Sequence, residues 1–131
     1  MAAAIALGAP KRRVAFVVFT GNFGNVYAGY AARAMGLPIA KLIVGSNSND
    51  ILARFIAGGA MEIGEVHPTL SPSMDIQVSS NAERLLFDLF GRDGAKLTQA
   101  MKQFRESGRL ALDGEQHRRL TALFAGHRVD D

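Results

Sequence analysis

Val14-Ala-Phe-Val-Val-Phe19 is an unbroken apolar run near the start of the chain. An alternating pattern marks a strand with one wet face, whereas a continuous run marks a strand covered on both, so these residues predict a buried strand of a parallel sheet. The run ends at Thr20-Gly-Asn-Phe-Gly-Asn25, after which apolar side chains recur at helical spacing over residues 26–35. Gly36 and Pro38 close that helix as a glycine cap followed by a helix breaker. Ala40-Lys-Leu-Ile-Val44 reads as the next strand, which makes residues 14–44 one βαβ unit of ordinary length.

Beyond it, Ser46-Asn-Ser-Asn-Asp50 is a polar turn that offers several N-caps to a helix over residues 51–57, stopped by Gly58 and Gly59. Residues 61–78 hold Pro68, Thr69, Ser71, Pro72 and Ser73 and keep no period; they predict an ordered loop long enough to carry function. A helix follows over residues 81–90, with Leu85, Leu86, Leu89 and Phe90 on its buried face. The last third predicts only helices, over residues 96–107 and 115–124, with Leu97, Met101, Phe104, Leu120, Leu123 and Phe124 as core positions. Residues 2–7 read as the end of a helix that closes at Gly8 and Pro10. The fold class is therefore α/β, a short parallel sheet built around the βαβ unit with a helical C-terminal part. Residues 1–90 carry the ligand-binding portion, and residues 91–131 form a helical segment of the same domain.

Composition changes this picture only at its margins. At 131 residues, 48% hydrophobic and 21% charged, the chain has the size and balance of a single globular domain. It contains no cysteine, which excludes disulfides, thiolate metal sites and cysteine nucleophiles. His67, His117 and His127 are scattered without metal-ligand spacing, so no metal is expected. The apolar start is too short for a membrane helix, and Lys11-Arg-Arg13 follows it rather than precedes it, the reverse of a secretory signal; a cytoplasmic protein is expected.

Charge is more informative by position than by total. The net charge is +3, and Lys11, Arg12, Arg13, Arg33 and Lys41 all precede the first acid, Asp50. A half without acids around a glycine turn suits an anionic ligand. No helix carries a basic face interleaved with aromatics, so nucleic acid is not an expected partner. A dinucleotide fingerprint requires Gly-x-Gly-x-x-Gly, and a P-loop requires Lys-Ser/Thr after its second glycine; the turn at residues 20–25 has neither. What it offers is two glycines for close approach, a hydroxyl, two asparagines and the unpaired N–H groups of a helix start, all suited to phosphate oxygens. Spacing alone leaves phosphate binding and an ordinary tight βα turn both open.

Residue identity goes further. Thr20-Gly-Asn-Phe-Gly-Asn-Val-Tyr-Ala-Gly-Tyr30, Met35-Gly-Leu-Pro38, Ser46-Asn-Ser-Asn-Asp-Ile-Leu52, Thr69-Leu-Ser-Pro-Ser-Met-Asp-Ile-Gln-Val-Ser-Ser-Asn81 and Glu83-Arg-Leu-Leu-Phe87 occur in the order in which they occur in threonine synthases, which the chain closely resembles. The resemblance is strong over residues 2–87 and weaker over the helical tail. It implies the tryptophan-synthase-β-like fold of pyridoxal-phosphate enzymes and the conversion of O-phospho-L-homoserine and water to L-threonine and phosphate. It further implies that Gly21, Asn22, Phe23, Gly24 and Asn25 hold the phosphate of pyridoxal 5'-phosphate.

Two positions depart from the family pattern. Phe19 stands where proline is usual before the turn, and Ala82 stands where phenylalanine is usual before Glu83. Neither removes an amide donor, though proline would have fixed a backbone angle at the loop's start. Members of the family are much longer, and their Schiff-base lysine belongs to an N-terminal part without counterpart here; Lys11, Lys41, Lys96 and Lys102 sit in no matching motif. The resemblance thus implies an internal fragment with the phosphate grip and no catalytic residue, inactive alone. Two other readings stay open: a module that binds a phosphorylated metabolite without chemistry, and a structural piece that assembles with a separately encoded remainder. The last predicts exposed sheet edges, an uncovered face and self-association.

Overall fold

The computed structural model describes residues 1–129. After a short helix α1 (Ala2–Ala6), strand β1 (Val14–Phe19) leads through the glycine turn into α2 (Gly24–Ala34) and β2 (Ile39–Ser46). This is the predicted βαβ unit. Helix α3 (Ile51–Gly58) and β3 (Ala60–Glu62) precede the long loop, which contains a single 3-10 turn, Pro72–Met74. Then come α4 (Ala82–Leu89), α5 (Gly94–Ser107), β4 (Arg109–Ala111), α6 (Gly114–Leu123) and β5 (Phe124–Arg128).

The principal sheet is parallel throughout, in the order β1-β2-β5. Its register pairs Phe16 with Leu42, Leu42 with Phe124 and Val44 with Gly126. A separate two-stranded ribbon joins β3 to β4 antiparallel, pairing Met61 with Leu110.

Glycines set how closely the layers approach. A Cβ on Gly29 of α2 would lie 2.9 Å from Leu42 Cδ2, and one on Gly126 of β5 would lie 2.7 Å from the Cα of Ala53 in α3. Real side chains do not approach so closely, so α3 lies this near β5 because Gly126 lacks a side chain, while a side chain at Gly29 would require Leu42 to shift. The core on this face is built from Phe23, Val26, Leu42, Val44, Leu52, Leu86, Leu120 and Phe124, all buried.

Two expectations need correction. β1 is not covered on both faces: Phe16 and Val18 are half-buried against the core, but Val17 and Phe19 are 61% and 60% exposed. Among the described residues nothing covers that side, so an apolar run that reads as doubly buried is covered only once. The last third is not entirely helical either, since β4 and β5 lie within it. Phe124 ends α6 with an extended backbone (φ −100°, ψ 147°) and turns the chain straight into β5. Phe-Ala-Gly-His-Arg has no strand pattern of its own; pairing with β2 makes it one, which is a tertiary effect.

The helical tail is otherwise well signposted. Asp93 caps α5 by accepting from the Lys96 N–H (3.1 Å), and Asp113 and Gln116 form a reciprocal capping box on α6 (2.8 and 2.9 Å). Gly59 and Gly108 end α3 and α5 in the left-handed conformation (φ 75° and 71°).

Candidate functional site

Parallel sheets place ligands at the carboxyl ends of their strands. Here that edge is formed by Thr20 after β1, Ser46 at the end of β2 and Arg128 at the end of β5. Thr20 extends the β1 pairing by donating its N–H to the Gly45 carbonyl (3.1 Å), so the turn starts from a fixed point. Its buried hydroxyl oxygen then accepts from the Phe23 N–H at 3.0 Å.

Phe23 holds the turn in an unusual way. It is the residue before α2, it adopts the left-handed conformation (φ 64°), and its ring is 2% exposed against Phe124 at 5.8 Å between centroids. Few L residues adopt this geometry, and a bulky one does so only where packing compensates. The buried ring thus holds a backbone that aims the next amides outward. No side chain caps α2, and the Tyr27 N–H is the first to find a helical carbonyl, that of Phe23, at 2.9 Å. The N–H groups of Gly24, Asn25 and Val26 precede that first bond, so the helix start displays amides without an internal helical acceptor.

Of the residues expected at this site, Gly21, Asn22, Phe23, Gly24 and Asn25 form one continuous turn, but they contribute differently. Gly24 and Asn25 are exposed at the helix start. Phe23 is a core residue whose own N–H is already committed to Thr20. Asn22 faces α4: its carbonyl accepts from the Asn81 N–H (3.2 Å) and its Oδ1 from the Ser80 hydroxyl (3.4 Å). Gly21 backs onto the long loop, where an added Cβ would lie 3.0 Å from Ile76 Cδ1 and 3.1 Å from Met74 Cα.

Sequence reasoning missed Asn81. It precedes α4 without capping that helix by its side chain, and its Nδ2 lies 3.5 Å from where a Gly24 Cβ would be. The starts of α2 and α4 therefore meet at the turn. Arg84 of α4 lies over the Tyr27 ring at 5.8 Å, and the Tyr30 hydroxyl donates to Asp88 Oδ2 at 2.9 Å, which locks the two helices together. Burial and then the Asp88 hydrogen bond raise the Tyr30 pKa, so the phenol keeps its proton and this tie persists at neutral pH.

A second missed group lies behind the turn. Asn47 and Asn49, 6% and 4% exposed, do not cap α3; they clasp the long loop. Asp75 Oδ1 accepts from Asn47 Nδ2 (2.8 Å), Asn49 Nδ2 (3.1 Å) and the Thr69 hydroxyl (2.7 Å), while Oδ2 accepts from the Thr69 N–H (2.8 Å). Asn49 also exchanges two hydrogen bonds of 2.8 Å with the His67 backbone. Desolvation pushes the Asp75 pKa up, but the donors from Thr69, Asn47 and Asn49 together outweigh it and hold the carboxyl below its usual range. Asp50 occupies the α3 N-cap position without a capping bond; its carboxylate meets Arg54 (2.8 Å) and Arg128 (3.6 Å). The only cue was a cluster of Asx residues at a strand end opposite an acid in a prolyl loop.

The lysines lie away from the turn, whereas His67 meets Asn49 through its backbone and His127 lies beside Arg128 near the carboxyl end of β5. Lys41 Nζ donates to the Thr121 carbonyl at the end of α6 (2.7 Å), Lys96 pairs with Asp93 (3.7 Å) and Lys102 with Glu106 (3.9 Å). Lys11 is exposed ahead of β1. His117 Nε2 lies 2.9 Å from the Ile56 carbonyl, and among the described residues no group of three or more potential ligands could hold a metal ion. No helix among them is long and apolar enough to cross a membrane.

No protein-family model matches the chain. Over 129 residues it is 52% identical to threonine synthase of Pseudomonas aeruginosa, an alignment that covers 98% of this chain and 28% of that protein. Threonine synthase of Saccharomyces cerevisiae is 54% identical over 83 residues, 63% of this chain and 16% of that one. Among solved structures, the PLP-bound threonine synthase of Brucella melitensis superposes with a TM-score of 0.94 at 45% identity, covering 98% of this chain and 28% of that chain. The yeast threonine synthase structure superposes with a TM-score of 0.84 at 36% identity, over 95% and 26%. The matched part thus spans between 16% and 28% of the length of these relatives.

Proposed function

Because the chain belongs to the threonine synthase family, we propose that its turn at residues 20–25 grips the phosphate of pyridoxal 5'-phosphate, within an enzyme that forms L-threonine and phosphate from O-phospho-L-homoserine and water. The observation that carries this is the uncapped start of α2, where three amides lie beside glycines with no internal acceptor. The residues fit a phosphate. A Cβ on Gly24 would project toward Asn81 Nδ2, so the absent side chain leaves room between two donor groups.

In this reading the roles divide by atom. Gly24, Asn25 and Val26 donate backbone N–H groups, and Asn81 adds a carboxamide N–H from the facing helix. Asn25 is exposed beside them. Gly21 allows the turn to lie against Ile76, Asn22 ties it to α4, and Phe23 sets the angle at which the helix starts. The ordered amides need not reorganise as the anion arrives, which is what makes a helix start a firm phosphate grip.

Pyridoxal phosphate, when bound, supplies an electron sink for carbanion chemistry, and that chemistry requires an amine to bond it and move protons. Lys41, Lys96 and Lys102 are each engaged by a carbonyl or a carboxylate away from the turn. We therefore assign this segment the anchoring of the cofactor and its orientation by the phosphate end, with the amine supplied by another part of the enzyme. The segment alone should form no threonine at an ordinary enzyme's rate, about 1–1000 per second.

The test is thermal unfolding of the 131-residue chain with and without millimolar inorganic phosphate or pyridoxal 5'-phosphate. Either ligand should raise the midpoint, and Gly24→Val, which fills the anion's place, should abolish the rise while unfolding at a similar temperature without ligand. Unchanged midpoints for the natural chain would overturn the phosphate reading. Threonine formation at an enzyme's rate would overturn the division of labour.

A further inference from the structure

We propose that Asp75 is a positioning residue for the phosphate turn, a reading that rests on the proposed function of that turn. Asp75 lies in the loop between β3 and α4 and makes no contact with the turn itself. Its carboxylate gathers donors from another segment, Asn47 and Asn49, which follow β2, and from its own loop, through both the N–H and the hydroxyl of Thr69. Its immediate neighbours form the wall of the turn, since the Ile76 side chain and Met74 Cα are what a Cβ added at Gly21 would meet.

The consequence is geometric. With a wall only 3.0 Å from the place of a Gly21 Cβ, the turn cannot move toward the loop, and a displaced loop would leave it unsupported. Asn47 and Asn49 are nearly fully buried and tied to one another, with Asn47 Oδ1 accepting from the Asn49 N–H at 2.9 Å. They follow directly on the central strand, so Asp75 references the wall to the sheet. Thr20, which directly precedes Gly21, is referenced to the same strand through Gly45. One carboxylate therefore fixes the distance between the turn and its backing.

Asp75→Asn keeps the shape and replaces one acceptor oxygen with a donor amid four donor groups. The experiment follows the Gly21 and Gly24 amide resonances of the 131-residue chain, first without ligand and then during titration with inorganic phosphate. For Asp75→Asn we expect both resonances to shift without ligand and the phosphate dissociation constant to rise at least tenfold. Leu110→Ala, which destabilises the distant ribbon, should leave that constant within twofold. Thr69→Val, which removes one donor to Asp75, should fall between them and serves if Asp75→Asn does not fold. Unshifted Gly21 and Gly24 resonances in these clasp variants would overturn the inference whether or not phosphate binds. So would unchanged phosphate affinity in a folded variant. A natural chain whose Gly24 amide ignores phosphate would instead overturn the proposed function, with the ligand-free shifts still deciding the role of Asp75.

Discussion

Phe23 joins the fold to the site, and two substitutions separate its contributions. Phe23→Ala removes a ring that is 2% exposed and packed against Phe124 at 5.8 Å. Truncating a buried phenylalanine costs about 3–5 kcal/mol, part of it from the lost aromatic pair. With an unfolding entropy of about 2.1 cal/mol/K per residue, that loss lowers the midpoint by roughly 11–18 °C for a chain of this size. The alanine keeps the left-handed backbone (φ 64°) and its cost, about 1–2 kcal/mol, whereas Phe23→Gly removes that cost and gives back about 0.4–1 kcal/mol through a more flexible unfolded chain. Glycine should thus be the more stable replacement by roughly 0.5 kcal/mol, the reverse of the order at an ordinary helical or extended position. Urea denaturation of the three proteins decides it. A cost below about 1.5 kcal/mol for Phe23→Ala would refute the packing argument, and a glycine variant less stable than the alanine variant would refute the left-handed turn.

Other predictions test other parts of the molecule. Gly126→Ala would place a Cβ 2.7 Å from Ala53 Cα and force α3 off the sheet, costing about 1–3 kcal/mol; an unchanged urea midpoint would contradict the register of β5. The buried Ser46 hydroxyl has no hydrogen-bond partner among the described residues, so Ser46→Ala should stabilise the chain by about 1 kcal/mol, read as a rise in the thermal midpoint. Because the folded pKa of Asp75 is depressed, the clasp's contribution is fully present above about pH 4, the unfolded value, and is lost as pH falls through the lower folded value. The stability difference between the natural chain and Asp75→Asn should therefore shrink below that pH in acid-titrated denaturation curves. The exposed face of β1 predicts concentration-dependent association in sedimentation, reduced by Val17→Lys; a natural chain that stays monomeric at all concentrations would count against it.

What the sequence disclosed depends on how far each feature reaches along the chain. The βαβ unit was legible because its signals are local: a β-branched run, a glycine turn, a helical period and a glycine-proline stop, all within residues 14–44. The amides of the turn were legible for the same reason, since a helix start displays them whatever surrounds it. β5 was not, because Phe124–Arg128 becomes a strand only by pairing with β2, some eighty residues earlier by the numbering of Leu42 and Phe124. The coverage of β1 was misread because an apolar run reports what a strand is suited to meet, and the described residues supply a layer on one side only.

The same distinction explains why the site was only half visible. A phosphate grip needs donors, which are local, and a wall, which is not. Gly21 to Asn25 announce the donors, but the position of those donors depends on Phe23 lying against Phe124, on Asn22 meeting Asn81 and on Gly21 meeting Ile76. Each of these contacts joins residues more than fifty positions apart, and none changes the hydrophobic pattern of either partner. The glycines and the aromatic residue of the turn therefore serve the packing behind it as much as the phosphate proposed to lie in front. On the proposed reading, a substitution at Asn25, which is exposed at the helix start, should weaken phosphate binding and spare the fold, whereas substitutions at Gly21 and Phe23 should damage both. The turn keeps its shape because the wall that supports it is built from the rest of the segment.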